Sequence, residues 1–512
     1  MKYVVTAAEM QWADQYTSEK LGLPSLVLME RAAMVTADEI CKRFSSVKRA
    51  VKVCIACGSG NNGGDGFALG RILNERGFTV HFFMAKEDEK ASEANRVQKE
   101  ILGRLGHTVS TGQPMEEYDI VVDALFGTGL HREITGCYGE MICCLNRMKG
   151  YKVAVDIPSG INSDDGRVLG CVFQADLTVT FAFHKWGHLL YPGKDFCGEV
   201  VCKDIGIPEM ALYEKMPYGR MLQKADLNKY LPQRVNNSHK GTYGKAGVIA
   251  GSVQMGGAVI LCSRAAMKMG VGYTKVITAK ANREALLAAI PEALLYFFEG
   301  YSYPLEMLED CNALAVGPGI GTDRGAESLI EAVLDRFHCS LVLDADGINI
   351  LAKRKDLQDK LKIYAKAAQE KGGTVILTPH KKEFSRLTGI SMEAEPEKWQ
   401  EEALKVSAEL GAVLVLKDAA TRIYTPEGLV YVNTTGNPGM STAGSGDVLT
   451  GIICGLAAQM KDGAMAAALG VYIHGLCGDH GAKEGNLYSL TAGEMADALK
   501  YVLKGDAEDE SL

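Results

Sequence analysis

The chain has 512 residues, an apolar fraction of 47%, a charged fraction of 23% and a formal net charge of −8. Such a length suggests roughly two to four domains and room for more than one large core. An acidic balance without a long basic run argues against a nucleic-acid binder and gives no basic patch for a membrane surface, and no apolar run is long enough to span a bilayer.

The chain opens Met-Lys-Tyr-Val-Val-Thr-Ala-Ala-Glu-Met, without the apolar core of a signal peptide, which predicts a cytosolic protein. Residues 1–30 read as helical, with Ala7, Met10, Ala13, Leu28 and Met29 forming apolar faces around a Gly-Leu-Pro break. From Ala50 the pattern becomes strand–loop–helix. Val51–Ala56 predicts a strand, Gly58–Gly66 its glycine-rich loop and Phe67–Arg76 the helix. Thr79–Met84, Asp119–Leu125, Lys152–Ile157 and Leu177–Phe183 predict further strands. This alternation implies a parallel sheet covered by helices on both faces, with ligands bound at the carboxyl ends of the strands. Most of the fourteen cysteines sit in apolar runs (Cys54, Cys143, Cys144, Cys202, Cys262, Cys454) and read as reduced core thiols. Cys54-x-x-Cys57 lacks a second metal-type pair, so neither zinc nor redox use is expected of it.

Three strand ends carry chemistry. In Asn61-Asn-Gly-Gly-Asp-Gly66 the glycines permit close backbone approach to a ligand, and Asp65 either binds a ribose or caps the helix. Asp123-Ala-Leu-Phe-Gly-Thr-Gly-Leu-His-Arg132 is a strand ending in a carboxylate and a flexible turn. The third is Asp156-Ile-Pro-Ser-Gly160. Turn glycines and helix caps explain any one of these, but not the three together. The first loop is not Gly-x-Gly-x-x-Gly with an acid about twenty residues on, which disfavours an ordinary dehydrogenase.

With Gly127-Thr-Gly129 and Phe181-Ala-Phe-His-Lys-Trp-Gly187, these motifs resemble the NAD(P)H-hydrate epimerase family over about residues 1–215. That family interconverts the R and S forms of reduced nicotinamide cofactors hydrated at C6. The resemblance implies a Rossmann-like three-layer αβα domain. It places Asn61, Asn62, Gly63, Gly64 and Asp65 on the dinucleotide, with Gly127, Thr128, Gly129, Leu130, His131, Arg132 and Glu133, and Tyr138 and Asp156 nearby. Asn62, Asp123 and Ser159 are implied potassium ligands, a set of oxygens suited to a hard cation. Asp156 is the implied acid/base and Lys185 its assistant.

Between Ile205 and Leu231 the rhythm lapses around Pro208 and Pro217, which predicts a linker at residues 216–224. It is too short for a free tether. The alternation resumes from Lys240. Predicted strands Gly247–Ala250, Ala313–Val316, Leu341–Leu343, Thr374–Leu377 and Ala412–Leu416 each end in glycine or polar residues. There is no Gly-x-x-x-x-Gly-Lys-Ser/Thr, so this is not a P-loop enzyme. The stretch Asn433–Gly451 is small, polar or glycine up to Asp447, then apolar at helical spacing (Val448, Leu449, Ile452, Ile453, Leu456). A glycine-rich loop entering a helix N-terminus offers backbone N–H groups to phosphate oxygens. Asp447 there either caps the helix or removes a proton from a hydroxyl beside the phosphate.

His239-Lys-Gly241, Gly317-Pro-Gly319, Asp344-Ala-Asp346, Leu377-Thr-Pro-His380 and Ala443-Gly-Ser-Gly-Asp447 resemble the ribokinase-like superfamily, and within it the ADP- or ATP-dependent NAD(P)H-hydrate dehydratases, over about residues 225–503. The implied second domain, 225–512, is a ribokinase-like αβα layer structure. Ala258, Gly319, His380 and Asp447 are implied to contact the hydrate. Lys417, Asp418, Ala419, Ala420 and Thr421, with Asn437, Gly444, Ser445 and Gly446, are implied to hold ADP or ATP with Mg2+. Asp447 would deprotonate the C6 hydroxyl, that oxygen would take the terminal phosphoryl group, and elimination of phosphate would restore NADH or NADPH. Two departures stand out. The family commonly has glycine at Asp418, and its usual His-Pro-Gly-Glu is His380-Lys-Lys-Glu383 here. The rival readings are a ribokinase-like kinase for a vitamin precursor, and a first domain that only binds protein or RNA. A homo-oligomer is expected.

Overall fold

A strand opens the chain where the apolar spacing predicts helix. Lys2–Val5 (β1) pairs in parallel with a two-residue strand, Val4 opposite His184 and Val5 opposite Lys185. Thr6 then starts α1 (Ala7–Gln15) through a capping box with Glu9. A wide turn over Tyr16–Lys20 leads to α2 (Ser25–Phe44). The computed structural model describes residues 1–47, 50–86 and 90–504; the end of the expected second domain, 505–512, lies outside them. It divides into two units, Lys2–Gly219 and Arg220–Leu512 with Met1.

In the first unit β2 (Lys52–Cys57), α3 (Asn61–Glu75), β3 (Thr79–Met84), α4 (Glu93–Arg104) and β4 (Val109–Thr111) follow in order. Then come β5 (Ile120–Ala124), α5 (Gly136–Arg147), β6 (Tyr151–Val155), β7 (Leu177–Phe181), β8 (His184–Lys185) and β9 (Glu199–Lys203). The sheet is parallel with the order β4-β3-β2-β5-β6-β7-β9. Both its faces are buried: Val53, Ile55, Ile120 and Val122 join one core with α2 and α3, while Cys54, Ala56 and Val121 join another with α5. This is why these strands read as continuous apolar runs rather than alternating ones. The fourteen cysteines are free thiols; Cys54 and Cys57 are buried, and Cys143, expected in a core run, is exposed.

The glycine-rich loop is shorter than predicted, because α3 begins at Asn61 rather than Phe67. Packing overrides the low helix propensity of its glycines. A Cβ at Gly63 would lie 1.9 Å from the carbonyl oxygen of Gly58. Asn95 of α4 pins the same turn, donating to the carbonyls of Gly58 (3.0 Å) and Gly60 (2.9 Å). Gly63→Ala therefore overpacks a backbone contact that has no room to relax. We expect a cost of about 1–3 kcal/mol or more, read as a lowered unfolding temperature.

A short strand β10 (Gly219–Met221) lies within the stretch expected to be a linker, and α6 (Lys224–Tyr230) starts at its end. The second unit continues through β11 (Lys245–Ile249), α7 (Gly256–Lys268), β12 (Tyr273–Ala279), α8 (Arg283–Ala289), β13 (Leu294–Phe298) and β14 (Ala313–Val316). Next are α9 (Arg324–Arg336), β15 (Ser340–Leu343), α10 (Asp346–Lys353), α11 (Lys355–Glu370), β16 (Val375–Leu377) and α12 (Lys381–Thr388). It ends with α13 (Pro396–Leu410), β17 (Ala412–Leu416), β18 (Arg422–Tyr424), β19 (Val430–Val432), α14 (Ser445–Ala457), α15 (Gly463–Glu484) and α16 (Ala492–Val502). Its strands run β13-β12-β11-β14-β15-β16-β17 in parallel, and β18 and β19 add antiparallel. α14 is apolar all round and sits inside the core against α7 and α15. No helix among the described residues is long and apolar enough to cross a membrane.

Candidate active sites

In each sheet the chain winds outward in both directions from one pair of strands, β2/β5 in the first and β11/β14 in the second. Such switch points leave a crevice at the strand carboxyl ends. In the first unit it is a cavity of about 910 Å3, lined by Ser59–Asn62 after β2, Leu125–Arg132 after β5, and Asp156 after β6, with α1 and α2 opposite.

The centre of this cavity is an ion pair. Lys185 Nζ lies 2.6 Å from Asp156 Oδ1, and the two side chains are 1% and 14% exposed. Lys185 Nζ also donates to Thr180 Oγ1 (2.8 Å) and to the carbonyl of Phe181 (3.1 Å), and Thr180 Oγ1 donates to Asp156 at 3.0 Å. The backbone at Asp156 is left-handed, φ 67°, a conformation that Asp tolerates better than most residues. His188 braces it. Its Nδ1 accepts the Lys185 N–H at 3.1 Å, so its Nε2 carries the proton and donates to the Asp156 carbonyl at 2.9 Å. Burial and the Lys185 charge push the His188 pKa down to about 3, which keeps this brace neutral. Burial alone would raise the Asp156 pKa. The Lys185 ammonium outweighs it and holds the carboxyl below its usual range.

Beneath the cavity, buried Asp123 accepts from Ser159 N (2.7 Å), Ser159 Oγ (2.7 Å) and Leu125 N (3.1 Å). Among the described residues these donors are all neutral, and burial pushes the Asp123 pKa up to about 6. Asn62 is buried, and its Nδ2 has no hydrogen-bond partner among the described residues.

In the second unit the loops after β11 and β14 meet: a Cβ at Gly319, whose φ is 65°, would lie 3.2 Å from Ala258 Cβ. α14 starts from Gly444 at φ 88°, with no side chain capping its first turn. Asp447 lies in that first turn, but its carboxylate makes no cap, so the capping alternative falls away. Burial pushes its pKa up to about 6, with Asp344 and Asp346 reinforcing and Lys417 opposing. Under the same turn, Lys417 Nζ meets Asp344 Oδ1 at 2.7 Å, and Thr450 Oγ1 donates to Asp344 Oδ2 at 2.7 Å. A Cβ at Gly446 would come within 3.4 Å of Lys417 Nζ, so the lysine charge lies against the turn itself. The loop ahead is tied down by Asp479 of α15, which accepts from Gly436 N (2.9 Å) and Asn437 Nδ2 (3.0 Å). His474 of the same helix lies 3.3 Å from Ser445 Oγ.

Two families of known proteins match the two units. One described as NAD(P)H-hydrate dehydratase covers residues 246–500, and one described as YjeF-related protein N-terminus covers 25–187. The Bifunctional NAD(P)H-hydrate repair enzyme Nnr of Moorella thermoacetica is 37% identical across 99% of this chain and 98% of its own length. The chain belongs to the bifunctional NAD(P)H-hydrate repair enzyme family. The Nnr of Thermofilum pendens is 34% identical over 99% of this chain and 97% of its own. Among solved structures, the ADP/ATP-dependent NAD(P)H-hydrate dehydratase from Bacillus subtilis, co-crystallized with ATP/Mg2+, is 32% identical over 55% of this chain and 96% of that one, with a TM-score of 0.46. A bifunctional NAD(P)H-hydrate repair enzyme joins an epimerase to an ADP/ATP-dependent dehydratase, and this chain has that composition.

Of the epimerase residues expected from the sequence, Asn61, Asn62, Asp65, Gly127–Arg132, Asp156 and Lys185 line the one cavity. Gly63 and Gly64 pack instead against Gly58 and Met29, and Glu133 and Tyr138 are not among the lining residues. Asp14, Thr180 and His188 are additions that the motifs did not mark. Of the dehydratase residues, His380 caps α12, its Nδ1 accepting from Glu383 N at 3.2 Å, while its side chain stays 48% exposed. It is also bridged through the backbone to Lys417. The two departures from the family pattern contact one another: Lys381 Nζ lies 2.7 Å from Asp418 Oδ2. With the side chains 44% and 34% exposed, this pair is solvent-screened. Lys381→Ala is expected to shift stability by less than about 1 kcal/mol in chemical denaturation.

Proposed function

We propose that the first cavity performs the epimerisation and the α14 turn the dehydration, with the residue roles set out below. The observation that carries the dehydratase assignment is Asp447: an uncapped, half-buried carboxylate in the first turn of a helix whose approach is glycine. Loss of the C6 hydroxyl proton to Asp447 frees that oxygen to attack the terminal phosphoryl group of ADP or ATP. The N–H groups at the start of α14 and the Lys417 ammonium face the developing charge. The O–P bond forms as the nucleotide's terminal P–O bond breaks. The ring nitrogen lone pair then expels phosphate from C6, and loss of the neighbouring C5 proton restores the dihydropyridine.

Asp344 is satisfied by Lys417 and Thr450, so its part is to hold the lysine. Asp346, with one oxygen taken by Gly321 N at 2.9 Å, keeps an oxygen for Mg2+, which would neutralise phosphate charge. In the epimerase unit Asp123 and Ser159 suit K+, a buried carboxylate whose donors are all neutral and a hydroxyl, and Asn62 would add its amide oxygen. That ion would fix the Gly127–Gly129 turn beside the dinucleotide. Lys185 holds Asp156 ionised against the cationic nicotinamide formed when water leaves. A homo-oligomer in the cytosol completes the proposal, and light scattering after gel filtration reads the first part.

The assay uses separated R and S hydrates of NADH and of NADPH, incubated with enzyme, Mg2+ and either ADP or ATP, with recovery of the reduced-nicotinamide absorbance as readout. S should react only with nucleotide, and R should follow it at a rate raised by K+. If the nucleotide binds and neither hydrate reacts, the role given to the α14 turn fails.

A further inference from the structure

The epimerase cavity holds more acid than the reaction above uses. Asp14, Asp65, Asp156 and Asp164 all line it, with Lys185 among them. Asp156 is committed to Lys185 and Thr180, and Asp164 to the amide of Ala7 at 2.5 Å. Asp14 and Asp65 have no hydrogen-bond or ion-pair partner among the described residues.

Helix phase brings Asp14 to the wall. α1 is fixed at its start by the Thr6–Glu9 capping box and by Asp164, and it buries Ala7, Met10 and Ala13. One turn after Met10, Asp14 shares with Met10 and Gln11 the stripe that lines the cavity. Its side chain is exposed, whereas Asp65 within α3 is only partly so. Cavity water can therefore reach and recharge Asp14 more readily.

The reaction requires such a group. The C6 oxygen departs as water only if it receives a proton, and Asp156, ionised beside Lys185, has none to give near neutral pH. We propose that Asp14 is the proton donor to the departing oxygen of the hydrate, with Asp156 the acceptor for the water that returns; this rests on the epimerase reading of the cavity. The C6–O bond breaks as the Asp14 proton passes to oxygen, and the ring nitrogen lone pair forms C6=N. A water then adds to the opposite face, forming C6–O, and its acidic proton goes to the Asp156 carboxylate. Exchange through cavity water returns that proton to Asp14, and the R form has become S with no net change in the enzyme. The opposite conversion follows the same path backwards, starting from the minor protonation state in which cavity water has passed the proton from Asp14 to Asp156.

Burial raises the carboxyl pKa of both Asp14 and Asp65, so titration admits either acid and water access selects Asp14. The concave wall deprives Asp14 of bulk solvation and pushes its pKa up to about 6; Lys185 opposes this and Asp156 adds to it. The other charged groups of the lining are Asp65, Arg132 and Asp164, with His131 titratable. On the elements packed against α1 they are Lys2, Glu19, Lys20 and Glu209. An acid of this kind loses its proton, and the rate its donor, as pH rises through about 6.

The test follows epimerisation of pure R hydrate by the intact chain without nucleotide, from about pH 5.5 to about 8.5, with the uncatalysed rate subtracted. Wild type is compared with Asp14→Asn, Asp14→Glu and Asp65→Asn. We expect wild-type kcat to fall above about pH 6, and Asp14→Asn to lower it about 10²–10⁴-fold with a flat profile. Asp14→Glu should restore most of the rate with a displaced limb, and dehydration of S hydrate in the other unit should stay at the wild-type rate. Asp14→Asn activity within about tenfold of wild type, or a limb that survives there and disappears in Asp65→Asn, overturns the assignment to Asp14 while the epimerase reading stands. If Asp14→Asn folds poorly, an unmoved limb in Asp14→Glu overturns it equally. Absence of epimerisation by wild type overturns both.

Discussion

Asp447→Asn should remove dehydration while sparing the second unit's fold and its hold on nucleotide. A positioned general base is worth about 10²–10⁴-fold, so kcat for S hydrate should fall by roughly that factor. The nucleotide Kd should change by no more than about threefold, because the phosphate donors are backbone groups and the Asp447 carboxylate caps nothing. Stability should not fall. The folded-state pKa of Asp447 is raised, to about 6, so the folded chain retains a proton that the unfolded chain has already released. Ionising this group therefore costs stability progressively from the unfolded value, near 3.9, up to about 6, and the whole penalty stands above that. Asparagine carries no such penalty, so the variant should unfold at the same or a higher temperature at about pH 8, an exchange of stability for function. The same titration makes wild-type kcat fall as pH drops below about 6. A variant turning over within about tenfold of wild type, or one whose loss is explained by weaker nucleotide binding, would rule out Asp447 as the base.

What the sequence disclosed and what it hid divide along physical lines. Thr79–Met84, Ala313–Val316 and Ala412–Leu416 were predicted with the bounds they have in the structure, since strands buried on both faces are uninterrupted apolar runs flanked by turn residues. Lys2–Val5 was missed because a four-residue strand borrows its identity from its partner, and that partner is His184–Lys185, far along the chain. Glycine density at residues 61–66 reports close approach, and one object approached is within the fold itself: the Gly58 carbonyl lies against Gly63. The sites follow the same division. Residues inside strand-end motifs were legible, because the end of a parallel strand is where a crevice opens. Asp14 was not, since an acid on an amphipathic helix looks like any solvated residue until the fold sets it opposite Lys185. Thr450, His474 and Asp479 were equally silent: each sits in a helical, mostly apolar run and acts on a loop or strand end distant in sequence. The Lys381–Asp418 contact shows the reverse case, in which two separate departures from a pattern become one feature once the chain is folded.

Lys185→Met should damage stability and epimerisation together, and a second substitution should separate them. The lysine side chain is 1% exposed and provides the cation for a carboxylate that is itself 14% exposed. Removing one partner of a buried pair leaves an uncompensated charge, typically at a cost of about 3–5 kcal/mol. The pH dependence should then change sign. In wild type the folded-state pKa of Asp156 is below its ordinary value, so the pair's contribution is present above the unfolded pKa and is lost as pH falls through the folded one. Without Lys185 burial outweighs the remaining Thr180 hydrogen bond and raises the Asp156 pKa, so the folded variant takes up a proton and is least stable once pH has risen past that value. The deficit against wild type in urea unfolding should thus be larger at about pH 7.5 than at about pH 4.5. Lys185→Met/Asp156→Asn, which buries no charge, should recover most of the stability and none of the epimerase activity. If the single variant loses the same stability at both pH values, the lysine is acting as packing volume rather than as the partner of Asp156. If the double variant epimerises, the ion pair is scaffolding and the chemistry belongs to the other carboxylates of the cavity.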